Sequence, residues 1–194
     1  DILEKLYSNT VQLGDQSAYN WQLQYTREFN MTDDSALFPP LPKWEAKGYQ
    51  PDMYGSWVGP QREIALPLYE GRMISHFDPC EKGWVSGKGR AAVWRDLPFE
   101  QKVFEPQYLI SLESYVGLER AFRGNKIGFM LVGSATNTRT MYATLIGDMP
   151  SGNSVSMLQP RTKDIKNILA LVACLNSFTY DFMLRCRLGG MNIS

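Results

Sequence analysis

The chain is organised around residues 126–153, KIGFMLVGSATNTRTMYATLIGDMPSGN. This stretch contains two apolar runs, Ile127–Val132 and Met141–Ile146, separated by the polar segment Ser134–Thr140. Apolar runs of this length, bounded by glycine and turn residues, are typical of buried strands. The pattern therefore predicts a β-hairpin whose strands lie in the core and whose connecting loop is polar.

The polar loop offers hydroxyl groups, one amide and one guanidinium within a short segment. Such a set of donors and acceptors is of the kind that reads base edges or contacts phosphates in DNA. The alternative is a solvated hairpin tip, because loops are usually polar for reasons of turn geometry alone. On this stretch alone, the solvated tip is the favoured interpretation and the DNA-reading loop is the alternative.

The overall charge limits the kinds of partner. The chain has 194 residues, of which 20 are basic and 20 acidic, so its formal net charge is zero. A free-standing DNA-binding domain is usually basic, because phosphate contacts supply much of its affinity. The balance argues against strong independent binding of nucleic acid and is compatible with a specificity module beside a basic neighbour. With 44% hydrophobic residues, the chain can build a core, which argues against disorder.

The cysteines and the histidine argue against a metal site. Cys80, Cys174 and Cys186 form no C-x-x-C pair, and His76 is the only histidine. This cysteine usage fits a reducing, cytoplasmic setting. No apolar run is long enough to cross a bilayer, so we expect no membrane segment. The chain begins without methionine, and we expect it to be a fragment of a longer protein.

Helical and strand patterns are interspersed along the chain, which predicts an α+β fold. Residues 1–15 are expected to form a linker helix from a preceding, absent domain, and residues 16–194 a domain truncated at its C-terminus. Leu66–Ile74 predicts a strand that runs into a turn. Asp164–Leu188 is apolar on nearly all sides, which predicts one long, buried C-terminal helix, with Thr162 as its N-cap.

Four blocks of the sequence match a pattern known from one protein family, in that family's order and spacing. The blocks are Glu28–Phe38; Leu66–Ile74 with Phe77-Asp78; Ala135–Thr140 running on to Pro150–Asn153; and Leu175–Phe178 with Asp181, Leu184-Arg185 and Gly189-Gly190. They extend across nearly the whole chain. They resemble the C-terminal target-recognition part of N6-adenine DNA methyltransferases from bacterial restriction-modification and phage-defence systems. These are the large single-chain type IIG enzymes and their phage-exclusion relatives.

The chain departs from the family's pattern at two places. The family commonly has Gly-Phe-Arg-Asp-Ile where this chain has Gly128–Val132, which removes a charged pair beside the polar loop. This loss narrows the expected DNA contact to the loop around Arg139. After Phe77-Asp78 the family often has His-Arg, whereas this chain has Pro79-Cys80. The second departure indicates a rebuilt loop, as expected where different members read different sequences.

The resemblance implies a mixed β-sheet target-recognition domain that reads double-stranded DNA. The family's catalytic Asn/Asp-Pro-Pro-Tyr/Phe motif and its glycine-rich loop for S-adenosylmethionine do not occur in this sequence. By resemblance, this fragment therefore binds no cofactor and transfers no methyl group. S-adenosylmethionine is expected in the parent's own methyltransferase domain, for which the fragment would hold the duplex while the adenine is flipped out. The parent is expected to be a site-specific adenine methyltransferase, with a fused endonuclease as an option.

The first group of expected DNA-contacting residues lies in the polar loop and comprises Arg139, Asn137, Thr138 and Thr140. The guanidinium of Arg139 can bond guanine O6 and N7, a contact worth about 1–3 kcal/mol of discrimination. Its alternative role is to pin the loop to the final helix. Asn137 can pair with adenine, but asparagine is also a natural turn residue, and the turn role is favoured.

The second group comprises Arg72, His76, Lys88 and Arg90. Lys88 and Arg90 lie with Trp84 in a glycine-rich basic segment, which can follow a phosphate backbone or be merely solvated. Arg72 and His76 flank a predicted turn. A polar surface role for His76 is the favoured alternative to a role in a site.

Two other functions are alternatives. Zero net charge and a broadly apolar final helix would also suit a protein-interaction or scaffold module. Glu100–Lys102, with Asp78 or Asp96 upstream, imitates the acidic and E-x-K pattern of metal-dependent nucleases, as does Glu45–Lys47. Such short matches arise by chance, and Pro98 interrupts the strand that a nuclease site requires.

Overall fold

The computed structural model describes residues 2–17 and 21–193. Its helices and strands, in chain order, are α1 (Ile2–Ser8), β1 (Gln24–Thr26), α2 (Leu41–Glu45), β2 (Gln50–Pro51), β3 (Trp57–Val58), β4 (Ile64–Pro67), β5 (Lys82–Ser86), β6 (Val93–Asp96), β7 (Leu109–Ser111), α3 (Leu112–Val116), β8 (Lys126–Met130), β9 (Ala143–Ile146), β10 (Val155–Gln159), α4 (Ile165–Leu175) and α5 (Phe178–Arg187). Short 3-10 turns lie at Ser35–Leu37, Gly71–Met73, Gly89–Ala91 and Phe99–Gln101. The predicted α+β class is confirmed.

The strands form two antiparallel sheets and one separate hairpin. The first sheet has the order β1-β10-β8-β9, and the second has the order β2-β3-β4-β7. The hairpin consists of β5 and β6. Every pair of these strands is antiparallel, and the described residues show parallel pairing only at two isolated bridges outside the strands, Phe29 with Gly152 and Tyr69 with Ser151. The mixed sheet that the resemblance implies is therefore not found within either sheet.

The predicted central hairpin is confirmed as β8 and β9, with Ile127 opposite Leu145. On one side, Ile127 and Phe129 join a cluster with the buried residues of α4. On the other side, Ile146 belongs to a cluster with residues of β10. Because the hairpin is covered on both faces, its strands read as continuous apolar runs and not as an alternating pattern.

The single long helix expected at Asp164–Leu188 is wrong, because this region forms two helices, α4 and α5, bent by 57°. The break falls at Asn176 and Ser177. The Asn176 side chain binds the backbone amide and carbonyl of Ala143 at 3.1 and 2.7 Å. Ser177 caps α5 by accepting a hydrogen bond from the amide of Tyr180 at 3.1 Å.

The expected burial on all sides is also wrong. α4 buries one face, whereas Phe178 and Phe182 of α5 are 80% and 45% exposed. The N-cap of α4 is Asp164, whose side chain accepts from the amide of Lys166. Thr162, the predicted cap, instead accepts from the amide of Asp164 at 3.2 Å.

The predicted N-terminal helix is confirmed as α1. It contacts α5 through Arg187, whose Nε donates to the hydroxyl of Tyr7 at 2.7 Å. Its assignment as a linker from another domain stays a prediction. In the part of the chain that the structure describes, no single helix has the length and apolar character to span a bilayer.

The first three sequence blocks meet at the segment 150–154. The amides of Phe29 and Tyr69 donate to carbonyls of this segment at 3.1 and 2.9 Å. The first and third blocks pack closely at Gly152, since a Cβ added there would lie 2.6 Å from the sulfur of Met31. The blocks therefore form a junction that fixes the return from β9 to β10.

A buried ion pair underlies this junction. The side chains of Glu28 and Lys126 are both fully buried and are bonded to each other. Lys126 also donates to the hydroxyl of Tyr115 at 3.0 Å, and Glu28 accepts from the amides of Phe122 and Ser151 at 3.0 Å each. Burial raises the pKa of Glu28 and lowers that of Lys126, while their mutual attraction acts in the opposite direction on each.

Candidate functional site

The polar loop 134–140 is fixed to α5 by one carboxylate. Asp181 is 4% exposed, and its Oδ1 accepts hydrogen bonds from the amides of Thr140 and Met141 at 2.7 and 2.8 Å. Burial by itself would raise the pKa of Asp181. The two amides and the guanidinium of Arg185 outweigh it and hold the pKa below its usual value. The charged carboxylate thus anchors the C-terminal end of the loop.

Arg185 anchors the tip of the same loop. Its Nε donates to Oδ2 of Asp181 at 2.8 Å. Its terminal nitrogens donate to the carbonyls of Ala135, Asn137 and Thr138 at 3.2, 2.8 and 2.7 Å. Because a guanidinium holds its donors in a rigid plane, this arrangement fixes the backbone of the loop. The loop binds the helix through its carbonyls and leaves Asn137 and Thr138 exposed.

Arg139 is held inward. Its guanidinium donates to the carbonyl of Asn176, lies 4.5 Å from the ring of Phe178, and has its Nε 3.5 Å from Oδ1 of Asp181. The side chain is 15% exposed. This geometry corresponds to the pinning role: one terminal nitrogen is bonded to Asn176, and the buried Nε has no hydrogen-bond partner among the described residues. A base contact by Arg139 stays a prediction that needs the guanidinium to leave this position.

Thr140 is fully buried, and its Oγ1 donates to the carbonyl of Ser134 at 3.0 Å. The expected DNA contact by Thr140 is therefore revised, because its side chain has no surface that a base can reach in this conformation. At the other end of the loop, the hydroxyls of Ser134 and Thr136 are 2.8 Å apart. The loop thus closes on itself and exposes its middle residues.

His76 lies beside the loop. Its ring is 4.4 Å from that of Tyr142. Burial, followed by the positive charge of Arg139, lowers the pKa of His76, so the neutral imidazole is favoured at pH 7. In the described ranges, its buried Nε2 finds no hydrogen-bond partner. A DNA contact by His76 stays a prediction.

Phe77, which the sequence patterns did not single out as a site residue, is the exposed neighbour of His76. It is 60% exposed and has a φ of +59°. Its amide donates to the carbonyl of Ala143 at 3.0 Å, and the side chain of Asn176 donates to the same oxygen. The turn, the loop and the start of α5 therefore adjoin. We call the surface formed by residues 76–77, 135–139 and Phe178 the turn–loop surface.

Arg72, Lys88 and Arg90 form a second group around the connection between β5 and β6. All three are exposed. The guanidinium of Arg72 donates to the carbonyl of Ala92 at 3.2 Å, which ties it to this connection. Arg72 and His76 are four positions apart in the sequence, so their Cα atoms are at most about 14 Å apart. The expected DNA-contacting residues thus fall into two patches joined by one short segment.

A cleft of about 540 Å³ lies beside this second patch, between the hairpin connection and the segment before α2. Its lining is largely apolar and aromatic and includes Phe38, Trp84, Lys88 and Tyr108. The indole Nε1 of Trp84 donates to the carbonyl of Gly87 at 3.0 Å, which fixes the ring. Sequence reasoning did not anticipate this cleft, because its walls come from separate segments.

Glu70 is a half-buried carboxylate near the second patch. Burial raises its pKa to about 7, and the nearby charge of Arg72 acts in the opposite direction. Its Oε1 is buried without a hydrogen-bond partner among the residues that the structure describes. The raised pKa therefore keeps Glu70 protonated to a higher pH than an exposed glutamate.

Of the residues in the nuclease-like pattern, Lys102 and Asp78 are in contact, but the described residues form no metal-binding site around them. Lys102 Nζ lies 2.6 Å from Oδ2 of Asp78 and 2.9 Å from the carbonyl of Cys80. Glu100, the other residue of the pattern, is exposed on a 3-10 turn and not on a strand. Across residues 2–17 and 21–193, no three or more His, Cys, Asp or Glu side chains are arranged to hold a metal. The geometry favours an ion pair that braces the turn before Cys80.

Comparison of the chain with protein-family models, with curated proteins and with solved structures found no match. The four sequence blocks and the geometry of the turn–loop surface are thus the grounds for a functional inference.

Proposed function

We propose that this chain is the sequence-specific DNA recognition module of a bacterial adenine-specific DNA methyltransferase or restriction-modification protein. The observation that carries the proposal is the clamped loop. Asp181 and Arg185 bind the backbone of the loop at five points, while Asn137 and Thr138 stay exposed. The block resemblance supports the same function.

A clamped loop suits base recognition because binding then costs little conformational entropy. The exposed amide of Asn137 can pair with adenine N6 and N7, and the hydroxyl of Thr138 can donate or accept. In this arrangement Arg139 positions the loop, and Asn137 and Thr138 read the bases. Lys88 and Arg90 supply phosphate contacts from the second patch.

The zero net charge indicates which part of the DNA affinity this chain supplies and which part its parent supplies. A net charge of zero gives little non-specific attraction to a polyanion, so the module depends on its parent for much of its affinity. The parent's methyltransferase domain would hold S-adenosylmethionine and receive the flipped adenine, in the bacterial cytoplasm. This chain would position the duplex for that step.

The first test is selection from a random pool of double-stranded DNA at low salt, followed by affinity measurements on the enriched sequences. We expect one enriched motif, and we expect Asn137→Ala to relax the preference at one position by about 1–3 kcal/mol. Asn125→Ala is the matched control, since Asn125 is exposed at the other end of β8. Failure to enrich any motif, together with no salt-dependent binding, would refute the proposal.

The second test addresses the phosphate contacts. We expect the double variant Lys88→Glu/Arg90→Glu to weaken binding about equally for all sequences and to reduce the salt slope by about two units. Lys43→Glu/Lys47→Glu, another exposed pair on and after α2, is the control. An unchanged salt slope in the first variant would remove the second patch from the interface.

A protein-interaction module is the second candidate. It is favoured by three large apolar side chains outside the turn–loop surface, because Met53, Tyr54 and Phe99 are 85%, 79% and 86% exposed. Binding of this chain to the parent's methyltransferase domain in the absence of DNA tests it. Loss of that binding in Met53→Ser/Tyr54→Ser, without an effect on DNA selection, would assign these side chains to a domain contact.

A further inference from the structure

Phe77 combines exposure with backbone strain. A φ of +59° is uncommon for any side chain with a Cβ and rare for a bulky one. The strain is not offset by burial, since the residue is 60% exposed. Strained residues persist where the surrounding structure holds them and often mark functional positions.

The turn that carries Phe77 is held from both sides. The amide of Ser75 donates to the carbonyl of Asp78 at 2.9 Å, and the amide of Asp78 donates back at 3.3 Å. The amide of Phe77 donates to the carbonyl of Ala143 at 3.0 Å. Lys102 fixes the Asp78 carboxylate at 2.6 Å. The protein therefore holds an aromatic ring at a defined position on the surface, where it does not serve the core.

The surroundings of the ring are chemically mixed. The turn adjoins the C-terminal end of the clamped loop through His76, whose ring lies 4.4 Å from that of Tyr142. That loop presents Asn137 and Thr138, and the guanidinium of Arg139 covers the ring of Phe178. A protein interface usually buries a core of apolar side chains with charged residues excluded from it. A duplex instead offers hydrophilic groove edges and apolar faces between stacked bases, and proteins enter those faces with single apolar side chains.

We propose that the ring of Phe77 inserts between adjacent base pairs of the duplex next to the bases that the loop reads. This inference rests on the proposed function and names a further positioning residue within it. The rigid turn drives the ring into one base step, while the loop reads the neighbouring groove edge. Local unstacking then lowers the cost of extruding a nearby base, which is the step that the parent enzyme requires.

The test is DNA unwinding by the 194-residue chain. Closed-circular plasmid carrying the selected motif is relaxed with a topoisomerase in the presence of the chain, and the change in linking number is measured at saturation. We expect the unaltered chain to lower the linking number of the plasmid. Phe77→Ala should abolish at least three quarters of that change and weaken DNA binding about tenfold. Phe77→Leu should retain part of the change in linking number. Phe99→Ala is the control, because Phe99 is 86% exposed on a separate 3-10 turn.

Each outcome of the unwinding test supports or refutes the insertion of Phe77. If Phe77→Ala unwinds the plasmid as the unaltered chain does, the insertion is refuted while the proposed function stands. If Phe77→Ala keeps the unwinding and loses binding to the parent's methyltransferase domain, the ring is a protein contact and the insertion is refuted. If the unaltered chain binds no DNA, the insertion and the proposed function fail together. Equal urea midpoints for the variants and the unaltered chain establish that the folds are comparable.

Discussion

The substitution Asp181→Ala tests whether one carboxylate holds the polar loop 134–140 against α5. It removes the acceptor of two amides, at 2.7 and 2.8 Å, and the ion-pair partner of Arg185 at 2.8 Å. Thr140 and Met141 are 0% and 1% exposed, so their amides lose a partner that water cannot replace. At about 1–3 kcal/mol for each orphaned amide, we expect a loss of about 3–5 kcal/mol in the free energy of unfolding. That corresponds to about 10 °C in Tm for a chain of this size.

The assays are urea unfolding and amide hydrogen exchange at Thr140 and Met141, with pH as a second variable. Because the folded pKa of Asp181 lies below the ordinary value of an aspartate, its contribution to stability is present above that ordinary value and is lost as the pH falls through the folded pKa. The variant should therefore show a flatter acid limb. Asp164→Ala, which removes the N-cap of α4 at an exposed site, is the matched control and should cost about 1 kcal/mol.

Asp181→Asn separates charge from shape. The amide oxygen can still accept from both backbone amides, but its NH₂ group then faces the Nε of Arg185, and two donors oppose each other. We expect an intermediate loss, with exchange at Thr140 and Met141 still slow. An unchanged urea midpoint in Asp181→Ala, with both amides still protected, would show that the loop is held by something else.

Three further substitutions test the scaffold. Lys126→Met should lower the free energy of unfolding by about 3–5 kcal/mol, because it leaves the Glu28 carboxylate buried and unpaired. The double variant Glu28→Gln/Lys126→Met should recover part of this loss. Equal urea midpoints for the single and double variants would contradict the pairing. Glu70→Gln should flatten the dependence of stability on pH between about pH 5 and 8. The raised pKa of about 7 means that the unaltered chain loses a contribution of up to about 3 kcal/mol as the pH rises from the ordinary glutamate pKa through 7; urea midpoints across this range that fall equally in both proteins would refute this reasoning. Gly152→Ala should destabilise by about 1–3 kcal/mol, because the added Cβ would lie 2.6 Å from the sulfur of Met31, and Gly152→Ala/Met31→Ala should regain part of the loss in thermal unfolding.

The helix break shows where local patterns stop being informative. The apolar periodicity runs through Asn176 and Ser177, so the pattern predicts one helix. The break depends on Ala143, a residue 33 positions away, whose backbone amide and carbonyl both bind the Asn176 side chain. Asparagine and serine inside an apolar run are a weak local signal for a break and cap, and only the partner strand turns that signal into a bend.

The four sequence blocks show the same limit for the site. They were matched as a linear pattern, and their roles appear only when the chain is folded. Three of them meet at the segment 150–154, and the fourth supplies Asp181 and Arg185, which bind the loop carried by the third. Within these blocks, Asp181 and Arg185 hold the loop, whereas Asn137 and Phe77 are exposed.

By itself, the sequence determined the α+β class, the central hairpin and the polar loop at its tip. These follow from local apolar runs and turn residues, whose physical causes lie within a few positions of each other. The tertiary structure decided the orientation of the loop's groups, because the partners of Arg139 and Thr140 come from distant positions. The guanidinium of Arg139 points inward because it bonds to Asn176, and Phe77 is held at the surface by the carbonyl of Ala143. In residues 126–153 the local sequence determines where the loop lies, and the contacts with α5 determine which of its side chains are exposed.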